Sequence, residues 1–517
     1  MGALAAGLVR GGADACHNRR LLLGRADAGA WLYRQGAGCL RRMRHRGQGG
    51  RPAKPRRARR GGAGRRLLRG TSCAPRRSRA ADRGSARPRR KRDGRHRPAG
   101  GALRPMPSPL FRGRALAWAV PALAEAAALG RSVAFAWAIG PDELGRAMML
   151  ALTVRLVEMV SDLGADRLML QAPDGNSARL QADLQGAMVL RGLACALALL
   201  CAAPVLALTF GDGPAAGSYA LLAAVPLLRG LAHLDFRRAE RGYRYRAMAV
   251  VEGGATLAMA ASILPAIALT GDHRAMALVL TAHGAAFALL SHGVAVRRYR
   301  LRLSRPALMR VWRFGAPLAL NAVLLFLTFY ADRLIVAGAH DWATLALYGV
   351  VLQLALLPAQ IVGRAAGSLV LPQLREALSR GRLEAVWPRI LTAHAGLALG
   401  LTAGFTLLGP SAIARIYGQE FRVDTALALA VGLAAGFRVL RTPYSQRAVA
   451  TGRTGDPARA NLVRALALIP AAACAALGLP LAAIAAAAAA GEAGATLRAH
   501  LLTAPRRALP LAKESLA

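Results

Sequence analysis

Lysine is almost absent from this chain of 517 residues: only Lys54, Lys91 and Lys513 occur. Acidic residues are also scarce, 26 against 70 Lys plus Arg, which leaves a formal net charge of +44. The six cysteines show no CxxC or Cys/His metal spacing. Cys16, Cys39 and Cys73 lie near the start, and Cys195, Cys201 and Cys474 stand inside apolar stretches, so they read as small hydrophobes rather than a disulfide framework or a zinc site. No Ser/His/Asp constellation and no phosphate-cradling Gly-rich loop is present. Beyond residue 114, no polar connector is long enough to fold by itself.

What is present is a train of apolar segments from about residue 114 to residue 503. A stretch of about 20 apolar residues crosses about 30 Å of hydrocarbon as a helix. Twelve such spans are expected, over 114–139, 144–166, 184–210, 215–235, 247–269, 275–296, 314–338, 344–371, 388–408, 425–441, 459–478 and 481–503. Turn residues punctuate them, as at Gly211-Asp212-Gly213-Pro214 and Gly478-Leu479-Pro480.

The connectors alternate in charge. Those after the fourth and sixth spans hold Arg237, Arg238, Arg241, Arg244 and Arg246, and Arg297, Arg298, Arg300, Arg302, Arg305, Arg310 and Arg313. Those after the eighth and tenth add Arg375, Arg380, Arg382 and Arg389, and Arg441, Arg447, Arg453 and Arg459. The opposite connectors show only Arg146, Arg274, Arg415 and Arg422. Translocation of Lys and Arg is disfavoured during insertion, so the pattern predicts a bacterial inner-membrane protein with both termini cytoplasmic. Topology therefore accounts for these arginines, and no nucleic-acid partner is expected.

Residues 1–105 differ in kind. They carry 30 Lys plus Arg against 4 acidic residues, and such an Arg/Gly-rich stretch cannot bury a core, so it is expected to be disordered. An RNA-binding tail lacks stacking partners beyond Trp31 and Tyr33; a polybasic membrane tether is a second reading. The favoured one is a spurious upstream frame in GC-rich coding DNA, with Met106 as the start. Two halves then follow, 106–303 and 304–517, each with six spans, the second closing on a short cytoplasmic tail. Ala119-Val120-Pro121-Ala122-Leu123-Ala124-Glu125 lies over Gly315-Ala316-Pro317-Leu318-Ala319-Leu320-Asn321, and internal repeats are a common build of secondary transporters.

The opening of each half resembles polysaccharide flippases: a Pro-containing first helix, the turn Ile139-Gly140-Pro141-Asp142-Glu143-Leu144-Gly145, and a second helix ending Ser161-Asp162-Leu163-Gly164. The second half is similar to the multidrug/oligosaccharidyl-lipid/polysaccharide exporter superfamily, in its Wzx-like lipopolysaccharide O-antigen branch. The similarity is carried by Tyr330-Ala331-Asp332-Arg333-Leu334-Ile335-Val336-Ala337-Gly338, Leu345-Ala346-Leu347-Tyr348-Gly349-Val350, Leu357-Pro358 and Leu369-Val370-Leu371-Pro372-Gln373-Leu374. The resemblance covers residues 110–505. It implies an all-α polytopic membrane protein, two six-helix pseudo-repeats around a central cavity, that flips polyprenyl-pyrophosphate-linked oligosaccharide. It implies no cofactor, membrane lipids as surroundings, and polysaccharide polymerase and chain-length machinery as partners.

Ionisable groups inside spans are functional candidates by default. Arg155, Glu158 and Asp162 fall on one stripe of the second span. Arg131, Arg155, Arg229 and Arg364 are candidate pyrophosphate ligands, since a guanidinium bonds phosphate oxygens bidentately, although Arg229 and Arg364 could equally snorkel to headgroups. Glu125, Glu158, Asp332 and Glu492 are candidates for coupling to a proton or sodium gradient. His283 reads as a helix-packing histidine. Asn321, Gln353 and Gln360 suit sugar hydroxyls or interhelical hydrogen bonds. A cation-coupled multidrug exporter of the same superfamily is the runner-up, but would favour acidic cavity residues. A membrane polymerase or ligase would need a large external loop, and the longest outside connector spans only about 409–424.

Overall fold

The computed structural model describes residues 108–210 and 216–503; the leader 1–105, the Gly211–Pro214 punctuation and the tail beyond 503 lie outside the described residues. Every described element is a helix. The first half contains α1 (Ser108–Ser161), α2 (Ala165–Gln171), α3 (Ala178–Thr209), α4 (Ala216–Leu221), α5 (Ala224–Gly230), α6 (Asp235–Arg241), α7 (Tyr245–Met248), a π-turn (Ala249–Gly253), α8 (Gly254–Thr270) and α9 (Arg274–Gly293). The second contains α10 (Arg305–Ala339), α11 (Trp342–Ser379), α12 (Leu383–Tyr417), α13 (Thr425–Ala450), α14 (Asp456–Leu466), α15 (Leu468–Ala476) and α16 (Leu481–Thr503).

Among the described residues nine helical stretches are long and apolar enough to cross a membrane, ten if the bent pair Ala216–Gly230 and Asp235–Arg241 counts as one span. Each of the twelve expected spans overlaps helix, and the lower count has physical reasons. Trp118–Ser161 is one stretch of 44 residues that holds the first two expected spans. The fourth is broken and bent by 53°. The last, α16, is diluted by Glu492, Arg498 and small residues. Large apolar side chains such as Leu208, Leu264, Leu269, Leu399 and Leu407 stand exposed along these helices, as lipid contact requires.

Why α1 divides is readable at Ile139-Gly140-Pro141. Gly140 takes φ 78°, ψ 176°, a region open only to glycine, and Pro141 with its fixed φ starts the second limb. The neighbours show that the chain reverses here. On the first limb Glu125 meets Arg364, far along α11. On the second limb Gly145 meets Trp342, the first residue of α11, and Met148 meets Gly349, two turns further along α11. The limbs therefore run in opposite senses along α11.

The two halves close on each other at this Gly140 end. A Cβ on Gly145 would fall 2.0 Å from the Trp342 carbonyl oxygen, so only glycine allows the approach. Trp137 donates its indole N–H to the Ile416 carbonyl at 2.7 Å, and Ser132 bonds the Tyr417 hydroxyl at 2.9 Å. One apolar cluster, with Phe135, Leu144, Leu150, Phe326, Tyr348 and Tyr417, continues across both halves.

At the opposite end α1 is pinned to α10, where Gly315 packs on the Leu163 backbone. The broken fourth span is held here by side chains that stand in for missing backbone bonds. His233 accepts the Asp235 N–H on Nδ1 at 3.1 Å, its Nε2 donates to the Arg297 carbonyl at 2.9 Å, and Ser291 accepts the His233 N–H. Many connector arginines are tied down as well. Arg237 reaches Asp166, Glu240 and Glu252, Arg238 binds Asp235, and Arg310 forms a two-point pair with Asp174. The Arg310 hydrogen bonds hold the Asp174 carboxyl below its usual range.

Candidate functional site

Charges cluster in each half, and in the first half fewer of the guanidinium groups contact a carboxylate. Arg229 on α5 pairs its Nε with Glu158 on the second limb of α1 at 3.1 Å. Its Nη2 lies 3.1 Å from His283 Nδ1 on α9, and its guanidinium sits 5.4 Å from the Phe287 ring centre. A guanidinium can only donate, so His283 Nδ1 accepts and the ring is neutral. Arg131 stands on the first limb of α1. It meets no carboxylate among the described residues: Nη1 donates to the Met259 sulfur at 3.5 Å, and Nε is buried without a hydrogen-bond partner there.

Arg155, one helical turn from Glu158, is exposed and has no carboxylate partner among the described residues. Its guanidinium stands 5.9 Å from the Tyr330 ring centre on α10, so it bridges towards the second half. The expected stripe of Arg155, Glu158 and Asp162 is therefore not self-neutralising. Glu158 is taken by Arg229 and Asp162 by Arg191 at 3.6 Å. Of the three guanidinium groups Arg131, Arg155 and Arg229, only Arg229 meets a carboxylate among the described residues, Glu158, so positive charge exceeds negative among these four side chains. Such a surplus inside a span is unstable alone and well matched to an anion.

Arg364 does not join this cluster. It forms a 2.6 Å ion pair with Glu125, joining α11 of the second half to α1 of the first; both side chains are about one-third exposed, at 39% and 35%. Asn321 and Gln360 are exposed and Gln353 half-buried, and none of the three makes a hydrogen bond among the described residues.

The cluster in the second half surrounds Glu492, a residue 2% exposed. Arg441 Nη2 donates to its Oε2 at 2.9 Å, Arg464 Nε to its Oε1 at 2.7 Å, and Arg438 Nε lies 3.9 Å away. Arg441 also bonds Asn461, and Arg438 stands over Phe329, 4.0 Å from the ring centre. Both oxygens of Glu492 are thus occupied by guanidinium groups. Asp332, 3% exposed, accepts the Tyr348 hydroxyl at 3.1 Å and the Arg333 backbone N–H at 2.9 Å.

Sequence reasoning missed these partners. Arg464 stands in the eleventh expected span, one span before Glu492, and opposite charges in consecutive spans were the available signal. Arg441 and Arg447 were assigned to a cytoplasmic connector. Instead Arg441 is buried against Glu492, and Arg447 pairs with Glu384 at 2.6 Å while covering Trp387. No group of three or more metal-ligating side chains occurs among the described residues.

A family model described as polysaccharide biosynthesis protein matches residues 135–424. No curated protein matches the chain. Among solved structures, a lipid II flippase, MurJ, in an inward closed conformation superposes with a TM-score of 0.62 at 12% identity, over 76% of this chain and 87% of that one. A multidrug resistance MATE family transporter of the MOP superfamily, in an inward-facing conformation, superposes with a TM-score of 0.55 at 13% identity, over 73% and 92%. These two share the fold.

Proposed function

Because this chain belongs to the polysaccharide biosynthesis protein family, we propose that it is a flippase. It translocates polyprenyl-pyrophosphate-linked oligosaccharide across the bacterial inner membrane for O-antigen, capsule or exopolysaccharide assembly, with both termini cytoplasmic. The observation that carries this reading is the cationic surplus of Arg131, Arg155 and Arg229 against the single carboxylate Glu158. A pyrophosphate diester bears a negative charge on each phosphate, and guanidinium forks bind such oxygens bidentately. The glycan then follows through the space between the halves, where Asn321, Gln353 and Gln360 offer free amides. A multidrug exporter of cationic compounds would be repelled by the same surplus.

Alternating access requires the tightly packed Gly140 end to open while the other end closes. Coupling to a proton or sodium gradient falls to Glu125 and Glu158, whose pairs are partly exposed, rather than to Glu492, which is locked among arginines. Polysaccharide polymerase and chain-length machinery act on the product and are the expected partners.

The test is complementation. Deleting the gene traps lipid-linked glycan on the cytoplasmic face, and the wild-type chain restores export. Arg131→Leu and Arg155→Glu insert normally but lower export by about tenfold or more, the equivalent of about 1.4 kcal/mol of lost phosphate interaction each. Normal export by both variants would sink the proposal.

A further inference from the structure

The second half buries more positive charge than its carboxylates cancel. Arg438 and Arg441 on α13 and Arg464 on α14 surround Glu492 of α16, so three guanidinium groups meet one carboxylate. Arg441, Arg464 and Glu492 are buried, and the Arg438 side chain is only 17% exposed. Asp332 and Arg333, one turn beyond the Phe329 that Arg438 stands over, add one charge of each sign. Four cations against two carboxylates leave a formal excess of positive charge in an enclosed place, which is unstable without a counter-ion.

Glu492 cannot satisfy all of these donors. Its Oε2 takes Arg441 Nη2 and its Oε1 takes Arg464 Nε, while Arg438 Nε stays 3.9 Å away, beyond hydrogen-bond reach. The Arg438 guanidinium makes no hydrogen bond among the described residues; its contacts are that distant carboxylate and the Phe329 ring. Arg441 Nη1 reaches Asn461, but its Nε is buried without a hydrogen-bond partner among the described residues. Buried charged donors that lack acceptors are costly, so an acceptor of negative charge is what the cluster calls for.

We propose that a resident monovalent anion of the halide class, such as chloride, binds at Arg438 and Arg441 and completes this network. Enclosure selects a small ion: a lipid-linked pyrophosphate has no way past side chains this buried, so the ion is a fixed ligand of the second half and not the transported group. Hydration selects a halide over sulfate or phosphate. A guanidinium is weakly hydrated and Phe329 lies under this one, so the site favours an anion that leaves water readily. Bound there, the ion ties α13 more firmly to α14 and α16 by removing the repulsion among their arginines.

The test uses the full chain in detergent, exchanged into gluconate and titrated with chloride at constant ionic strength. Raising chloride from about 1 to about 100 mM should raise the thermal unfolding midpoint, as binding to the folded state requires. The chloride NMR line should broaden in the presence of the protein and narrow again on adding bromide, but not on adding sulfate. Arg438→Leu removes one unmatched cation, so it should weaken the apparent chloride affinity by about tenfold or more while leaving the gluconate midpoint no lower than that of the wild type. Arg438→Gln repeats the measurement should the leucine variant fail to fold. Arg131→Leu with Arg155→Leu should keep the full chloride response, because those arginines belong to the first half. Absence of broadening, equal midpoints in chloride and gluconate, an unchanged response in the Arg438 variants, or loss of the response in the first-half pair overturns the proposal. None of these readouts depends on glycan export, so the anion site and the flippase reading fail separately.

Discussion

Glu492→Gln separates a structural carboxylate from a coupling one. The substitution keeps the side chain's volume and one acceptor oxygen, and removes the charge. In the native protein that charge faces Arg464 at 2.7 Å and Arg441 at 2.9 Å, with side chains 7% and 9% exposed. Arg438 adds a third positive charge at 3.9 Å. Removing one partner of a buried ion pair costs about 3 to 5 kcal/mol, because the remaining charge is left in a poorly solvated place. Here at least two guanidinium groups lose their counter-charge, so the upper part of that range is expected, a change of about a thousandfold in the folding equilibrium.

Chemical denaturation of the detergent-solubilised protein measures this difference. The double variant Glu492→Gln with Arg464→Leu should recover about 0.5 to 3 kcal/mol of the loss, since one of the stranded charges is gone. If Glu492→Gln unfolds within about 0.5 kcal/mol of wild type, the range of neutral surface substitutions, the buried-network account is wrong. Loss of gradient-driven transport in that same stable variant would return Glu492 to the coupling role.

Gly140→Ala places a side chain at φ 78°, and should destabilise the hairpin by about 1 to 3 kcal/mol, whereas Gly130→Ala, in open helical surroundings, should be neutral or slightly stabilising; equal denaturation midpoints for the two would refute the positive-φ turn. Glu125→Arg should slow transport by about tenfold by repelling Arg364 across the halves, and the exchanged pair Glu125→Arg with Arg364→Glu should restore it. Neither change should move stability by more than about 1 kcal/mol, because the pair is partly solvated; a swap that leaves transport slow means the two residues act separately.

Much of the fold follows from one length scale. Apolar runs that cross about 30 Å as helix are countable, and the Ile139-Gly140-Pro141 turn announces its own reversal. The break in the fourth span is not announced. Pro226 and Gly230 lie in residues 216–230 but do not by themselves set a bend, and what secures it is His233 bonding Arg297 and Asp235, with Ser291 capping, all contacts set by tertiary packing. Arg131 and Arg155 stand out in the sequence as cations within apolar runs, but each run also holds a carboxylate, and only the packing shows Glu125 paired with Arg364 and Glu158 with Arg229. Helical periodicity says which residues share a face, but not which other helix that face meets. The pairs Glu158 with Arg229, and Glu125 with Arg364, therefore could not be read from spacing.

Arg441 marks where sorting arginines by connector breaks down. The expected span 425–441 holds 17 residues, about 25 Å of helix, which falls short of the hydrocarbon core. The helix has to run further, and it does, as far as Ala450. Arg441 then lies within the helix's buried length, with Glu492 as its counter-charge, and Arg447 follows as a buried partner of Glu384. A span that is too short moves its own terminal arginines inward. Length thus ranks above charge as the first test: an arginine is topological only once the helix before it has already crossed.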